Sequence, residues 1–201
     1  MSKIYLHPLP VRIWHWLNAF IVIMLFLTGL QLRVPSVNIF SDYRIVVLMH
    51  KYFGYAMTLS FFFWLVYYIF TGGLIKHYVI GIKDIKAMPG QALYYAYRIF
   101  KNEKNPFEPA FDNKFNPLQK LAYASVMFIL TPIIIISGIM FSDIITFFSW
   151  IEAIGGIRVL DAIHVAIAYI FLFYLIIHLY MATIGKRFYS HIKAMFTGFE
   201  D

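Results

Sequence analysis

Residues 160–184 read LDAIHVAIAYIFLFYLIIHLYMATI, with Asp161 as the single charged residue. A stretch of this length and character is typical of a helix that crosses the hydrocarbon core of a bilayer. Two histidines, His164 and His178, interrupt the apolar side chains. Because an ionisable residue is costly inside a membrane, these two positions need a chemical explanation.

Three further apolar stretches have the same length and character. Hydrophobic residues make up 61% of the 201 residues and charged residues only 13%, about half the share in soluble domains. We therefore expect an all-α fold: an integral membrane four-helix bundle forming a single domain, residues 1–201. The expected spans cover about residues 11–32, 43–71, 118–141 and 160–184.

The longest polar connection, residues 72–117, lies between the second and third spans. Its apolar residues are interleaved among basic ones, which predicts a helix lying on the membrane surface.

With four spans, 13 of the 17 lysines and arginines lie on the side of the termini and this connection, and 4 on the other side. Basic residues favour the cytoplasm, so both termini and the connection are predicted to be cytoplasmic. The net charge of +7 then reflects orientation and lipid contact, and we expect no nucleic-acid partner.

The available ligand types limit the possible redox centres. The chain has no cysteine, which excludes iron–sulfur clusters, thiolate zinc sites and covalent haem attachment. The acidic residues nearest the central spans, Asp143, Glu152 and Asp161, lie at outer ends, which argues against a carboxylate-bridged di-iron site. Histidine remains, and neutral imidazole is a common ligand of haem iron.

The spacing of the histidines predicts two sites. His164 and His178 are 14 residues apart, close to four helical turns, so they share a face and lie about 21 Å apart along the axis. His15 lies near the start of the first span, and His50 lies near the start of the second, which runs in the opposite direction. Pairing by depth gives an inner site, His15 with His178, and an outer site, His50 with His164, each holding one haem iron. Taken singly, each histidine also fits an interfacial or hydrogen-bonded role.

Gly29 lies 14 residues after His15 and on the same helical face. It would let an outer haem approach the first helix closely; an ordinary helix-end glycine is an equally good interpretation.

Several motifs resemble one known family. Arg12-Ile13-Trp14-His15-Trp16, followed by Thr28-Gly29, resembles the opening Arg-x-x-His-Trp signature of the di-haem cytochrome b subunits of bacterial respiratory formate dehydrogenases, nickel–iron hydrogenases and thiosulfate-reductase-type complexes. Residues 114–121, KFNPLQKL, are similar to the Lys-Tyr-Asn-x-x-Gln-Lys segment of the formate dehydrogenase branch, with Phe115 in place of the tyrosine. The run from 178 to 195 also resembles that branch.

The resemblance implies a membrane-anchoring, electron-transfer subunit of the bacterial cytoplasmic membrane, without catalytic residues of a dehydrogenase or reductase. Its cofactors would be two non-covalent haem b groups. A periplasmic iron–sulfur subunit and a catalytic subunit would exchange electrons with the outer haem, within a complex that could form a higher-order oligomer. Quinone, either menaquinone or ubiquinone, would react near the inner haem beside Asn116, Gln119 and His178. Helix capping by Asn116 and an interfacial Gln119 are the competing interpretation.

Two alternative functions fit parts of the sequence. A stand-alone di-haem quinone-reactive cytochrome needs the same histidines and no iron–sulfur partner. A small transporter or channel with histidine proton relays is the other, but the chain lacks the paired glycine-broken spans typical of such transporters. The direction of electron flow, the donor or acceptor and the type of quinone are left open by the sequence.

Overall fold

Four long helices form the body of the protein in a computed structural model, which describes residues 4–101, 103–107, 114–184 and 189–200. The remaining residues, including part of the polar connection, lie outside the described ranges. All four helices are long and apolar enough to cross a membrane, and this confirms the predicted all-α membrane fold. They cover α1 (Leu9–Arg33), α2 (Tyr43–Phe70), a third span from Pro117 to Ser142, and α8 (Ile157–Thr183).

Three of the four spans begin one to three residues earlier than the sequence suggests, whereas α2 begins at the expected residue, Tyr43. Helix α1 starts at Leu9, and Pro10 lies in its first turn, where a missing backbone N–H costs nothing. Helix α8 starts at Ile157, three residues before the expected position, because Gly155 and Gly156 turn the chain immediately upstream. Their φ values of 107° and 87° lie in the left-handed region that favours glycine.

The third span is not a uniform α-helix. It consists of α5 (Pro117–Ser125), a π-helical turn (Val126–Leu130) and α6 (Thr131–Ser142). The Thr131 N–H donates to the Val126 carbonyl, five residues back. Pro132 has no N–H to donate, and its ring would crowd the carbonyl four residues earlier in an α-helix. The expected distortion at Pro132 therefore takes the form of a widened turn before the proline.

The polar connection is helical, as predicted, and its location on the membrane surface stays a prediction. Two helices follow the second span, α3 (Gly73–Tyr78) and α4 (Ile82–Ala96), and a 3₁₀ turn (Arg98–Lys101) comes next. Lys120 of α5 donates to both carboxylate oxygens of Asp84 in α4, at 3.1 and 3.2 Å. The Lys120 side chain is only 8% exposed, so this ion pair fastens α4 to the start of the third span.

Both ends of the described chain lie on one face of the bundle. Strand β1 (Ile4–Tyr5) pairs antiparallel with β2 (Phe199–Glu200), next to α9 (Ser190–Thr197). On the opposite face, Arg33 at the end of α1 forms an ion pair of 3.2 Å with Asp161 at the start of α8. We call the face with the termini the inner end and the opposite face the outer end. Helix α7 (Phe148–Ala153) lies in the outer connection.

Candidate functional site

The four histidines singled out in the spans form two pairs, at different heights in the bundle. His15 of α1 lies beside His178 of α8 toward the inner end, with ring centroids 6.1 Å apart. His50 of α2 lies beside His164 of α8 toward the outer end, with ring centroids 6.3 Å apart. The structure thus brings together the same residues that were paired by depth from the sequence.

Both separations fit a metal ion held between two imidazoles. A metal–nitrogen bond of about 2 Å on each side, plus the distance from each nitrogen to its ring centre, gives a centroid separation of about 6 Å. No group of three metal-binding side chains of the His, Cys, Asp or Glu type occurs within the described residues. An iron at either pair would therefore need a group that supplies its remaining ligands, as a haem does.

Two buried hydroxyl groups hold the rings of the outer pair. Thr28 Oγ1 lies 2.9 Å from His50 Nδ1, and Ser137 Oγ lies 2.8 Å from His164 Nδ1. Each hydroxyl donates its own proton to a helix carbonyl, Thr28 to Met24 at 2.6 Å and Ser137 to Ile133 at 2.8 Å. With the hydroxyl protons donated to the helix carbonyls, each hydroxyl oxygen can accept from Nδ1–H. In that tautomer Nε2 of both rings is unprotonated and able to bind iron.

Two glycines lie against the same two rings. A side chain at Gly29 would place its Cβ 3.3 Å from His50 Cε1, and one at Gly138 would place it 3.5 Å from His164 Cε1. At Gly29 this contact is tighter than most real Cβ contacts, so the His50 ring occupies the space that a side chain would need. The close approach of a haem to Gly29 stays a prediction. The dipeptides Thr28-Gly29 and Ser137-Gly138 thus contribute equivalent contacts from α1 and α6.

Sequence reasoning missed Ser137 and Gly138. The repeated pattern of a hydroxyl residue followed by glycine, near the outer end of two spans, was a usable signal. It is weak by itself, because serine in apolar helices commonly bonds only to the carbonyl of the preceding turn.

The inner pair has a different environment. His15 Nδ1 is buried and makes no hydrogen bond within the described part of the chain. Trp16 presents its edge to the His15 ring, with centroids 5.1 Å apart, and Tyr174 stacks on His178 at 6.0 Å with an interplanar angle of 22°. Each ring of this pair therefore contacts an aromatic side chain, and no described hydroxyl bonds to Nδ1 of His15.

Asn116 and Gln119 lie at the inner end, at the start of the third span. The Gln119 N–H donates to Asn116 Oδ1 at 2.9 Å, and the Asn116 N–H donates to Gln119 Oε1 at 3.1 Å. Asn116 Nδ2 also donates to the Tyr95 hydroxyl at 2.8 Å. Both side chains therefore form the capping box of α5. Helix capping is the role that the competing interpretation gave to Asn116, whose side chain is buried.

An aromatic path connects this capped end with the inner histidine pair. Tyr123, two turns into α5, contacts Tyr174 of α8 with ring centroids 6.4 Å apart, and Tyr174 in turn stacks on His178. The capping box and the inner pair thus belong to the same end of the bundle.

The fold and the two pairs define a class of protein: a four-span membrane helix bundle whose facing histidines suit haem iron, which is the architecture of membrane cytochromes b. Comparison with known proteins agrees. Residues 6–198 match the family described as prokaryotic cytochrome b561, and the chain belongs to this family. It is also 30% identical, over 98% of its length and 75% of the relative's, to the Escherichia coli (strain K12) protein named "Putative cytochrome YdhU". The protein is therefore a membrane-embedded, haem-binding electron-transfer protein.

Proposed function

We propose that the chain holds two non-covalent haem b groups and carries electrons between the two sides of the membrane. The single observation that supports this most strongly is the pair of facing imidazole couples, with ring centroids 6.1 and 6.3 Å apart. One couple lies toward each end of the bundle, and α8 contributes one ring to both. When bound, haem b supplies a one-electron iron couple at each level.

The protein's own residues position and shield these sites. Thr28 and Ser137 fix the tautomer and the orientation of the outer rings, while Gly29 and Gly138 keep α1 and α6 free of side chains beside them. At the inner site, the stacked ring of Tyr174 holds His178 in place. All four histidines lie within apolar spans, and a charged imidazole is costly in such an environment, which favours neutral ligands.

The orientation proposed for the chain places the inner end in the cytoplasm. The excess of basic residues on that side, 13 against 4, supports this assignment. The inner site would then exchange electrons near the cytoplasmic surface and the outer site near the periplasm of a bacterial cell.

We propose quinone as the redox partner at the inner end. Asn116 and Gln119 are the proposed quinone-site residues, together with His178, by their resemblance to the formate dehydrogenase branch. Their capping bonds do not use the Gln119 Nε2 group, and that group remains able to donate to a quinone oxygen. The Tyr95 hydroxyl, held by Asn116, is a further polar group at the same location.

At the outer end we propose a periplasmic iron–sulfur subunit with its catalytic subunit, of the formate dehydrogenase type. The chain contains no cysteine for a cluster of its own, so electrons must enter or leave through another protein or a small molecule. A stand-alone di-haem cytochrome fits the same observations equally well. Purification under mild detergent distinguishes the two: a stoichiometric iron–sulfur protein supports the complex, and a chain that is purified alone with full quinone reactivity supports the stand-alone form.

Haem quantitation tests the central proposal. The purified protein should give a b-type reduced-minus-oxidised spectrum with about two haems per chain, extractable into acidified organic solvent because no thioether bond is possible. A protein with one haem per chain, or none, would refute the two-site proposal.

A further inference from the structure

The two proposed haem sites differ in the hydrogen bonding of Nδ1, the imidazole nitrogen that would not bind iron. At the outer site, Nδ1 of each ring lies within hydrogen-bond distance of a hydroxyl oxygen, 2.9 Å for His50 and 2.8 Å for His164, and it donates to that oxygen in the tautomer whose Nε2 binds iron. At the inner site, His15 Nδ1 is buried without a hydrogen bond among the described residues. This asymmetry is a property of the chain and requires no partner protein.

From this asymmetry we infer that Thr28 and Ser137 lower the reduction potential of the outer haem relative to the inner haem. The inference rests on the proposed function, in which each histidine pair holds one haem. A hydrogen bond from Nδ1–H raises the electron density at Nε2, which then donates more strongly to iron. Stronger donation stabilises the ferric form over the ferrous form and lowers the potential.

The environment of the two hydroxyl groups strengthens the effect. Thr28 is 0% exposed and Ser137 is 3% exposed, so water does not compete for the imidazole N–H. A hydrogen bond in such a low-dielectric interior is stronger than one near the surface. His15, which lacks this interaction at a buried nitrogen, is by the same reasoning a weaker donor to its iron.

The predicted difference in reduction potential favours electron transfer in one direction, from the outer site to the inner site. With a haem held at each site, one electron would pass from the ferrous outer site to the ferric inner site, which oxidises the first and reduces the second without a change in any covalent bond or proton. This transfer is downhill within the chain, and it offsets the cost of moving an electron inward against a membrane potential that is negative inside. The arrangement therefore suits a reducing partner on the outer side and an acceptor on the inner side.

A purely structural role for the two hydroxyls is the competing explanation, and the chain offers a matched control for it. Thr58 of α2 donates to the Gly54 carbonyl at 2.9 Å, as Thr28 does to the carbonyl of Met24. No described contact links Thr58 to an imidazole. If the hydroxyls serve only their own helices, Thr58→Val and Thr28→Val should have the same effect on the haems.

The test is a potentiometric titration of the purified holoprotein, monitored in the visible spectrum. The His50→Ala and His15→Ala variants first assign the two midpoint potentials, and the lower one should be missing in His50→Ala. Thr28→Val and Ser137→Ala should each raise that lower potential, and the double variant should raise it further. Thr58→Val should leave both potentials unchanged, and Thr28→Ser, which keeps a hydroxyl, should retain the wild-type value.

Two results would overturn the inference while leaving the two-haem proposal intact. One is an unchanged lower potential in Thr28→Val and Ser137→Ala protein that still contains both haems. The other is that the lower of the two midpoint potentials persists in His50→Ala. The His50→Ala measurement also tests the inference if Thr28→Val fails to retain haem. Failure of the proposed function would look different, because the unmodified protein itself would then lack two haems.

Discussion

At the scale of single residues, each proposed haem depends on two imidazoles from different helices. His15→Ala and His178→Ala should each remove the inner haem, and His50→Ala and His164→Ala the outer one, because a haem left with one axial ligand in an apolar bundle is held weakly. Each variant should retain about one haem per chain in a pyridine haemochrome assay. His191→Ala, in the polar C-terminal flank, is the control that should keep both. Any other grouping, such as loss of the same haem in His15→Ala and His164→Ala, contradicts the pairing.

Gly29 offers a second test at this scale. Its Cβ position lies only 3.3 Å from His50 Cε1, so a leucine there must displace the imidazole from the outer site. We expect Gly29→Leu to lose at least half of the outer haem while the inner haem remains. Gly54→Leu on α2 is the matched control, because nothing lies within 4 Å of its Cβ position. Equal haem contents in the two variants would show that Gly29 is only a helix-end glycine.

The residue scale also shows the limit of what the sequence predicts. The four histidines stand out because each is an ionisable group in or at the end of an apolar span. The spacing of 14 residues places two of them, His164 and His178, on one face of their helix. Ser137 and Gly138 have no such signal, since a small polar residue in a membrane helix can satisfy itself on its own backbone. Only the packing of α6 against α8 shows that they face His164.

At the scale of elements, the third span departs most from a regular helix. The sequence shows Pro132 and so predicts a distortion, but several responses can relieve a proline within a helix. The π-helical turn from Val126 to Leu130 is one of them, and tertiary packing selects it. The start of α8 is similar: the glycine pair at 155–156 marks a turn, but its backbone angles alone decide where the helix begins.

The attachment of α4 to the third span supports a prediction about stability. Asp84→Asn removes the carboxylate that balances the Lys120 ammonium, which is 8% exposed. Leaving a buried charge unpaired is strongly destabilising, and because Asp84 is 17% exposed we expect a loss of about 2 kcal/mol in the free energy of unfolding. Thermal unfolding in detergent measures it. The double variant Asp84→Leu with Lys120→Met should recover most of the loss; a double variant as unstable as Asp84→Asn would show that the charge pair is not the cause.

The same ion pair predicts a pH dependence. Partial burial raises the pKa of the Asp84 carboxyl, but the Gly81 N–H and the Lys120 ammonium lower it by more, so the pKa lies below its ordinary value of 3.8. The pair therefore contributes its full stability above about pH 4, and that contribution declines as the pH falls through the lowered pKa. The difference in unfolding temperature between wild type and Asp84→Asn should be constant from pH 7 to pH 5 and shrink below about pH 4. A difference that already shrinks between pH 7 and pH 5 would point to another group.

At the scale of the whole molecule, the antiparallel helices convert a spacing along one chain into two sites at two depths. Helix α8 contributes a histidine to each site, and α1 and α2, which run in opposite directions, contribute one partner each. The termini close the inner end through β1 and β2, and the Arg33–Asp161 ion pair joins α1 to α8 at the outer end. Because the two ends differ in charge and in the polar groups beside the histidines, the proposed function makes the orientation of the bundle decide which side of the membrane would receive electrons.

That orientation is itself testable. Ser36 follows α1 at the outer end and Lys104 lies in the long connection at the inner end; both are exposed. Alkaline phosphatase folds only where its disulfides can form, so its insertion at Ser36 should give an active enzyme and its insertion at Lys104 an inactive one. A fluorescent protein fused after Asp201 should fluoresce, since the 13 basic residues on that side, against 4 on the other, predict that this end is cytoplasmic. Phosphatase activity at Lys104 and none at Ser36 would show that the bundle has the opposite orientation. The proposed downhill step from the His50–His164 site to the His15–His178 site would then deliver electrons outward.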